Sequence, residues 1–373
     1  MPCPLSTESG LLDKRPYRID ELVRPEVRAL STYHVQNARG LVKLDAMENP
    51  YAWPEEMVTR WLDRLKSAEP NRYPDPACQQ LKALLRTSGK IPDGAELLLG
   101  NGSDEIIQIL LMALSPGACV MAPEPTFVMY RQIARSLGLP FVGVPLRAED
   151  FELDGNAMLR AIDEHDPAIL FFAYPNNPTG NLFSRDLIHA VMQRSRGLII
   201  LDEAYAPYAN DSFMAEVGTH PNLLVMRTLS KLGLAGLRLG YIAGPPAWIE
   251  QLDKIRLPYN INVLTQLSAE FALTEQAELD AQVARILADR GWLMQQLAQT
   301  KGVRVYPSQA NFVLIRLTDG DATAVFEKMK ALGVLIKNLD PQGGALKGVL
   351  RITVGTPEEN ERFMLAFRTA TRA

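Results

Sequence analysis

Two short segments of this sequence carry the groups best suited to covalent and acid/base chemistry, and each directly follows an apolar run of strand type. Thr228-Leu229-Ser230-Lys231 ends one run and continues into Leu232-Gly233-Leu234-Ala235-Gly236-Leu237-Arg238. Desolvation and a neighbouring cation both lower a lysine pKa below its ordinary value of about 10.4, which makes the neutral amine available as a nucleophile. After Leu198-Ile199-Ile200-Leu201 come Asp202-Glu203-Ala204-Tyr205. Strand alternation lets only one of the two carboxylates face a given side. A carboxylate beside a cationic ring nitrogen keeps that nitrogen protonated, and a protonated pyridine ring is an electron sink. Taken singly, a solvated lysine and a structural ion pair are the commoner readings of such residues.

Two further loops complete the set. Gly100-Asn101-Gly102-Ser103-Asp104-Glu105 lies between a strand-like run and an apolar helix. That arrangement aims backbone N–H groups and the positive end of the helix dipole at a bound phosphate, although it serves equally as a turn with an N-cap. Neither GxGxxG nor GxxxxGK[ST] is present here. In Tyr174-Pro175-Asn176-Asn177-Pro178-Thr179-Gly180, Pro178 holds Asn177 away from helical geometry and leaves its amide free to face a ligand. These residue types are also those of a plain surface turn.

All four segments sit where strands would end, and the elements around them say what kind of sheet that is. Residues 96–99, 119–122, 141–144, 168–173, 198–201, 223–226 and 239–243 read as strands, with helices at 103–114 and 184–194 between them. Alternation of this kind predicts a mostly parallel sheet covered on both faces, with ligands outside the carboxyl ends of its strands. After Pro245 long helical patterns cover 247–256 and 263–299. Strands at 311–317, 334–337 and 349–354 and helices at 322–332 and 357–372 then predict a smaller α+β layer.

Composition sets the outer bounds. The chain has 373 residues, 47% apolar and 22% charged, as expected of a folded body with a sizeable core. Its 39 basic and 43 acidic residues give a net charge of −4, with no charge run of the kind nucleic-acid binding requires. Cys3, Cys78 and Cys119 are odd in number and far apart, which argues against disulfides and a cysteine-rich metal site and fits a reducing cytoplasm. The start of the chain does not read as a secretory signal. Residues 106–123 are uncharged, yet Ser115-Pro116-Gly117 interrupts them, so a helix, a turn and a strand are expected and no membrane span.

Taken in order, these segments resemble the fold-type-I pyridoxal-phosphate aminotransferases, and among them the histidinol-phosphate aminotransferase family. The likeness runs from about Tyr33 to the C-terminus, through Asn71-Arg72-Tyr73-Pro74, the Gly102 turn, Asn177-Pro178-Thr179-Gly180, Asp202-Glu203-Ala204-Tyr205, Ser230-Lys231 and Leu350-Arg351-Ile352-Thr353-Val354-Gly355-Thr356-Pro357. It implies an α/β fold with a seven-stranded, mostly parallel sheet in a large domain (45–272), a small domain (34–44 and 273–373) and an N-terminal arm (1–33). It further implies that Lys231 holds pyridoxal 5'-phosphate as a Schiff base and moves the substrate proton. Asp202 would hold the ring nitrogen, Asn177 and Tyr205 the ring's phenolic oxygen, and Tyr130 would stack on the ring.

By the same resemblance, Gly102, Ser103 and Asp104 would bind the phosphate with Ser230, Arg238 and, from a second subunit of a homodimer, Tyr73. Arg351 would take either glutamate's α-carboxylate or the phosphate of histidinol phosphate, with Lys337, Tyr33 and Tyr259 as further substrate contacts. Lys337 stands where other members carry arginine, and the interval from Lys231 to Arg238 is one residue shorter than in some. Roughly the first 18 residues have no counterpart. The implied reaction is reversible transamination between histidinol phosphate and 2-oxoglutarate, in the cytoplasm, without metal. An aminotransferase for aromatic or other amino acids and a phospho-amino-acid decarboxylase share most of this set, and a binding protein without turnover is the reading from another class.

Overall fold

Apolar runs bounded by Gly, Pro and Asn become strands when neighbouring runs complete their hydrogen bonds, and most runs in this chain do so. The computed structural model describes residues 16–32 and 35–372. Its strands are β1 (Val42–Leu44), β2 (Glu96–Gly100), β3 (Val120–Glu124), β4 (Phe141–Pro145), β5 (Ile169–Ala173), β6 (Leu198–Asp202), β7 (Leu223–Thr228), β8 (Gly240–Gly244), β9 (Val303–Val305), β10 (Phe312–Leu317), β11 (Val334–Asn338) and β12 (Val349–Thr353). Residues up to Val35 form one unit, with short helices Ile19–Leu22 and Pro25–Arg28 that bury nothing. Both sheets belong to the second unit, which begins at Gln36.

The larger sheet has the order β2-β8-β7-β6-β5-β3-β4. All its pairings are parallel except those of β8, which runs against both β2 and β7. The carboxyl ends of β2, β5, β6 and β7 therefore lie along one edge. Side-chain alternation feeds two cores. Leu170, Phe172, Ile199, Leu201, Leu223 and Val225 pack on one face, and Phe171, Ala173, Leu198, Ile200, Leu224 and Met226 on the other. Burial on both faces is why these runs are continuously apolar.

The smaller sheet has the order β1-β11-β12-β10-β9, antiparallel except for β1 against β11. Its apolar side is closed by the helices Gln276–Ala298, Ala322–Ala331 and Pro357–Thr371. Leu314 and Val349 of this sheet join the first core, so packing is continuous between the sheets.

Two features differ from expectation, and the uncharged run over 106–123 matches it. The helix foreseen over 263–299 breaks at Glu275 (φ −97°, ψ 34°) into Val263–Thr274 and Gln276–Ala298. The strands β1 and β9 were not foreseen, because three residues are too few to show a period of two. The uncharged run over 106–123 resolves into the helix Ser103–Met112, a turn and β3. Among the described residues no helix is long and apolar enough to cross a membrane.

Close approach of backbones is required where β8 meets the loop after β2. A Cβ added at Gly240 would lie 2.8 Å from the carbonyl carbon of Gly102 and 2.9 Å from the nitrogen of Ser103. Gly240→Ala therefore loses about 1–3 kcal/mol in urea unfolding, whereas Gly236→Ala, with open space around it, stays within about 0.5 kcal/mol. Equal stability of the two variants would contradict the steric argument.

Candidate active site

The carboxyl edge of the larger sheet opens into a cavity of about 210 Å³, whose walls include Ser103, Asp104, Asn177, Asp202, Tyr205, Ser230, Lys231 and Arg238. They arrive from the ends of several strands along that edge. Asp202 is the last residue of β6, Asn177 lies in the loop after β5, and Lys231 lies in the 3-10 turn Leu229–Leu232 that follows β7. That turn is capped by Thr228, whose hydroxyl accepts from the Ser230 N–H at 3.2 Å. The Tyr208 hydroxyl donates to the Lys231 carbonyl at 2.5 Å.

Alternation separates the two neighbouring carboxylates by task. Glu203 is fully saturated: it accepts from Arg227 Nη2 at 2.7 Å, from the Phe213 N–H at 2.6 Å and from the Ser212 hydroxyl. It borders a larger cleft, about 490 Å³, whose lining does not include Lys231. Asp202 faces the smaller cavity. Its Oδ2 accepts from the Tyr130 hydroxyl at 2.6 Å and its Oδ1 from the Ala204 N–H at 3.1 Å.

Burial sets the electrostatics. It pushes the Asp202 carboxyl up to about 6, against the opposing pull of the Tyr130 and Ala204 donors. It also pushes the Lys231 amine down to about 8, helped by the Arg351 and Arg238 guanidinium groups and opposed by Glu48 and Asp104. Lys231 Nζ lies 3.4 Å from the Ala46 carbonyl oxygen and 5.8 Å from the centre of the Tyr205 ring. Arg351, buried on β12, donates through Nη1 to Asn177 Oδ1 at 2.5 Å and through Nη2 to the Asp45 carbonyl at 2.9 Å.

The remaining expected residues fall elsewhere. Tyr130 does not face the cavity: its ring is fully buried, stacked on Phe171 at 4.6 Å and 11°, and its hydroxyl is held by Asp202. Phe127 supplies the aromatic wall instead, because the helix Val128–Ser136 starts just after it and turns Tyr130 inward. Tyr73 and Tyr259 do not line this chain's cavity; they stack on each other at 4.4 Å, and Tyr73 is 81% exposed. Lys337, on β11, stands opposite Arg351 of β12 and is not among the residues that line the cavity, with its pKa lowered by burial and by Arg351. Tyr33 lies outside the described residues. Glu48, which lines the cavity and pairs with Lys43, was not anticipated, since no strand or turn signal marks it.

A family model for class I and II aminotransferases matches residues 39–367. The chain belongs to that family. A histidinol-phosphate aminotransferase of Nitrosococcus oceani is 54% identical over 356 residues, covering 95% of this chain and 99% of the relative. Another from Chromobacterium violaceum is 49% identical, covering 94% and 98%. The structure of histidinol-phosphate aminotransferase from Sinorhizobium meliloti in complex with pyridoxal-5'-phosphate superposes with a TM-score of 0.83 at 22% identity, covering 95% and 99%, which shows the common fold. This aminotransferase has the fold-type-I architecture.

Pyridoxal phosphate is the cofactor of the family, and the cavity of this aminotransferase fits it. The helix Ser103–Met112 begins at Gly102 (φ +79°) with no side-chain cap, so its first N–H groups are available to a phosphate. A Cβ at Gly102 would lie 2.8 Å from Arg238 Nη2, which keeps that cradle free of side chains other than the cation. An amine on one wall, a carboxylate on another and an aromatic ring between them match the remaining parts of the group.

Because burial raises Asp202 from an unfolded value near 3.8, the folded state holds its proton more tightly and stability falls as pH rises through that interval toward about 6. Asp202→Asn removes this cost. In cofactor-free protein at neutral pH the variant gains on the order of 1–3 kcal/mol in denaturant titration while losing transaminase activity. A variant less stable than the parent would refute the assigned burial cost.

Proposed function

We propose that this chain transfers an amino group between L-glutamate and imidazole acetol phosphate, giving 2-oxoglutarate and L-histidinol phosphate, reversibly, as a step of histidine biosynthesis in the cytoplasm. The observation that carries the reading is identity of 54% and 49% to histidinol-phosphate aminotransferases over nearly the whole chain. Burial of Lys231 beside Asp202 in one cavity supports the reaction type. When bound, pyridoxal phosphate supplies the electron sink that accepts the pair left by a broken α-C–H bond.

Lys231 would hold the cofactor through its amine and, as acid and base, would move the proton at the substrate α-carbon. Asp202 keeps the ring nitrogen protonated, and its raised pKa is drawn back down by that cation. Asn177 and Tyr205 would donate to the ring's phenolic oxygen, and Phe127 would supply the aromatic contact to the ring in the place first given to Tyr130. Tyr130 orients Asp202. The N–H groups of Gly102, Ser103 and Asp104, with Ser230 and Arg238, hold the phosphate. Lys231, Asp202 and Asn177 thus each act at a separate atom.

Arg351 receives the glutamate carboxylate in one half-reaction and the substrate phosphate in the other. Lys337, paired with Arg351 across β11 and β12, adds positive charge beside it, and the family resemblance alone supports Tyr33 and Tyr259 as further substrate contacts. We assign the large domain to 45–272 and the small domain to 34–44 and 273–373, an assignment supported by the pairing of β1 with β11. The working unit is a homodimer in which Tyr73 reaches the partner's phosphate site, in keeping with its exposure and its absence from the cavity of its own chain.

Two outcomes test the reading. Histidinol phosphate mixed with the loaded enzyme, without oxo acid, shifts the cofactor absorbance to that of the amine form; conversion by phenylalanine or tyrosine alone would replace the substrate assignment. Second, only the neutral amine captures the cofactor aldehyde. With Lys231 near 8, about a tenth is neutral at pH 7, so the capture rate of cofactor-free protein climbs nearly tenfold per pH unit below 8 and levels off above it. A rate that keeps climbing about tenfold per unit from about pH 8 to 10 would contradict the lowered pKa.

A further inference from the structure

Away from the cavity, the helix Arg185–Arg194 and the connection between β6 and β7 bring two imidazoles onto one carboxylate. His189 Nε2 lies 2.8 Å from Glu216 Oε2, and His220 Nε2 lies 3.7 Å from the same oxygen. The three ligand atoms all fall within 4.8 Å of one another. None of the three residues lines the cavity around Lys231.

The geometry points to a binding site for a divalent first-row transition metal, zinc foremost, held by His189, Glu216 and His220. A tetrahedral zinc with bonds of about 2.0–2.1 Å has neighbouring ligand atoms about 3.4 Å apart. The two histidine-to-carboxylate separations bracket that value, and the two imidazoles, within 4.8 Å of each other, close on the ion by side-chain rotation. Two imidazoles and one carboxylate suit zinc, nickel and copper and exclude magnesium and calcium, which require oxygen donors. The side chains of His189, His220 and Glu216 are 35%, 35% and 23% exposed, which leaves the fourth position to water.

The surroundings are arranged to hold these ligands. Arg185 pairs through Nη2 with the other oxygen, Glu216 Oε1, and so turns Oε2 toward the imidazoles. Arg185 is itself anchored over the Phe213 ring at 4.0 Å and on Asp211 at 2.6 Å. Outer contacts of this type orient a ligating carboxylate. The same arginine partly neutralises it, so the site binds more weakly than closed structural zinc sites. A bound ion would fasten the helix to the loop that precedes β7.

The test uses the loaded enzyme, freed of metal with a chelator and titrated with zinc chloride against a fluorescent zinc indicator. Wild type binds one equivalent that His189→Ala, His220→Asn and Glu216→Gln each weaken by about tenfold or more, with transamination unchanged in all three. His220→Asn alters a loop residue only, so a loss of affinity there is separable from damage to the helix. Cobalt(II) bound in place of zinc shows ligand-field absorption in wild type that is lost in the same variants. Zinc affinity equal in wild type and in His189→Ala/His220→Asn, or no cobalt spectrum assignable to imidazole ligands, overturns the site.

Discussion

Asp202 and Lys231 are taken out of water at the ends of adjacent strands, and their burial is the constraint that orders the rest of the site. A carboxyl held near 6 and an amine held near 8 are both costly to fold around. The sheet can bear that cost because its strands are buried on both faces, so the ends of β6 and β7 are fixed by apolar packing that does not depend on the polar groups. Tyr130 belongs to the same arrangement. Its ring stacks on Phe171 in the core, and its hydroxyl reaches the carboxylate that the core has stranded.

The smaller sheet enters the site through one guanidinium. Arg351 comes from β12 and bonds Asn177, which follows β5 of the larger sheet. Asp45, whose carbonyl takes the other branch of the fork, follows β1. The anion site is therefore built from both sheets, and its position is only as well defined as the packing between them, which Leu314 and Val349 supply by joining the first core.

Much of this was legible in the residues. The seven apolar runs appear as seven strands because a strand buried on both faces leaves an uninterrupted apolar signature, and the polar segments after them mark the carboxyl edge for the same reason. The three-residue strands β1 and β9 left no such signature. Around the site, local pattern located Asp202, Asn177 and Lys231, whereas the resemblance pointed to Tyr130 where Phe127 lines the cavity, three residues earlier, because the choice depends on where the helix Val128–Ser136 begins. Glu48 and the pairing of Asn177 with Arg351 depend on segments far apart in the chain. No local pattern encodes them.

The adjacency of Asp202 and Glu203 constrains how this chain can change over time. One carboxylate faces the cavity and the next is saturated by Arg227, Ser212 and the Phe213 amide. Gain or loss of a single residue within β6 would rotate the following side chains by half a turn, delivering the saturated carboxylate's position to the cavity and leaving Arg227 without its anion. Length variation among descendants of this sequence is thus admissible in the loops on either side of β6 but not within it.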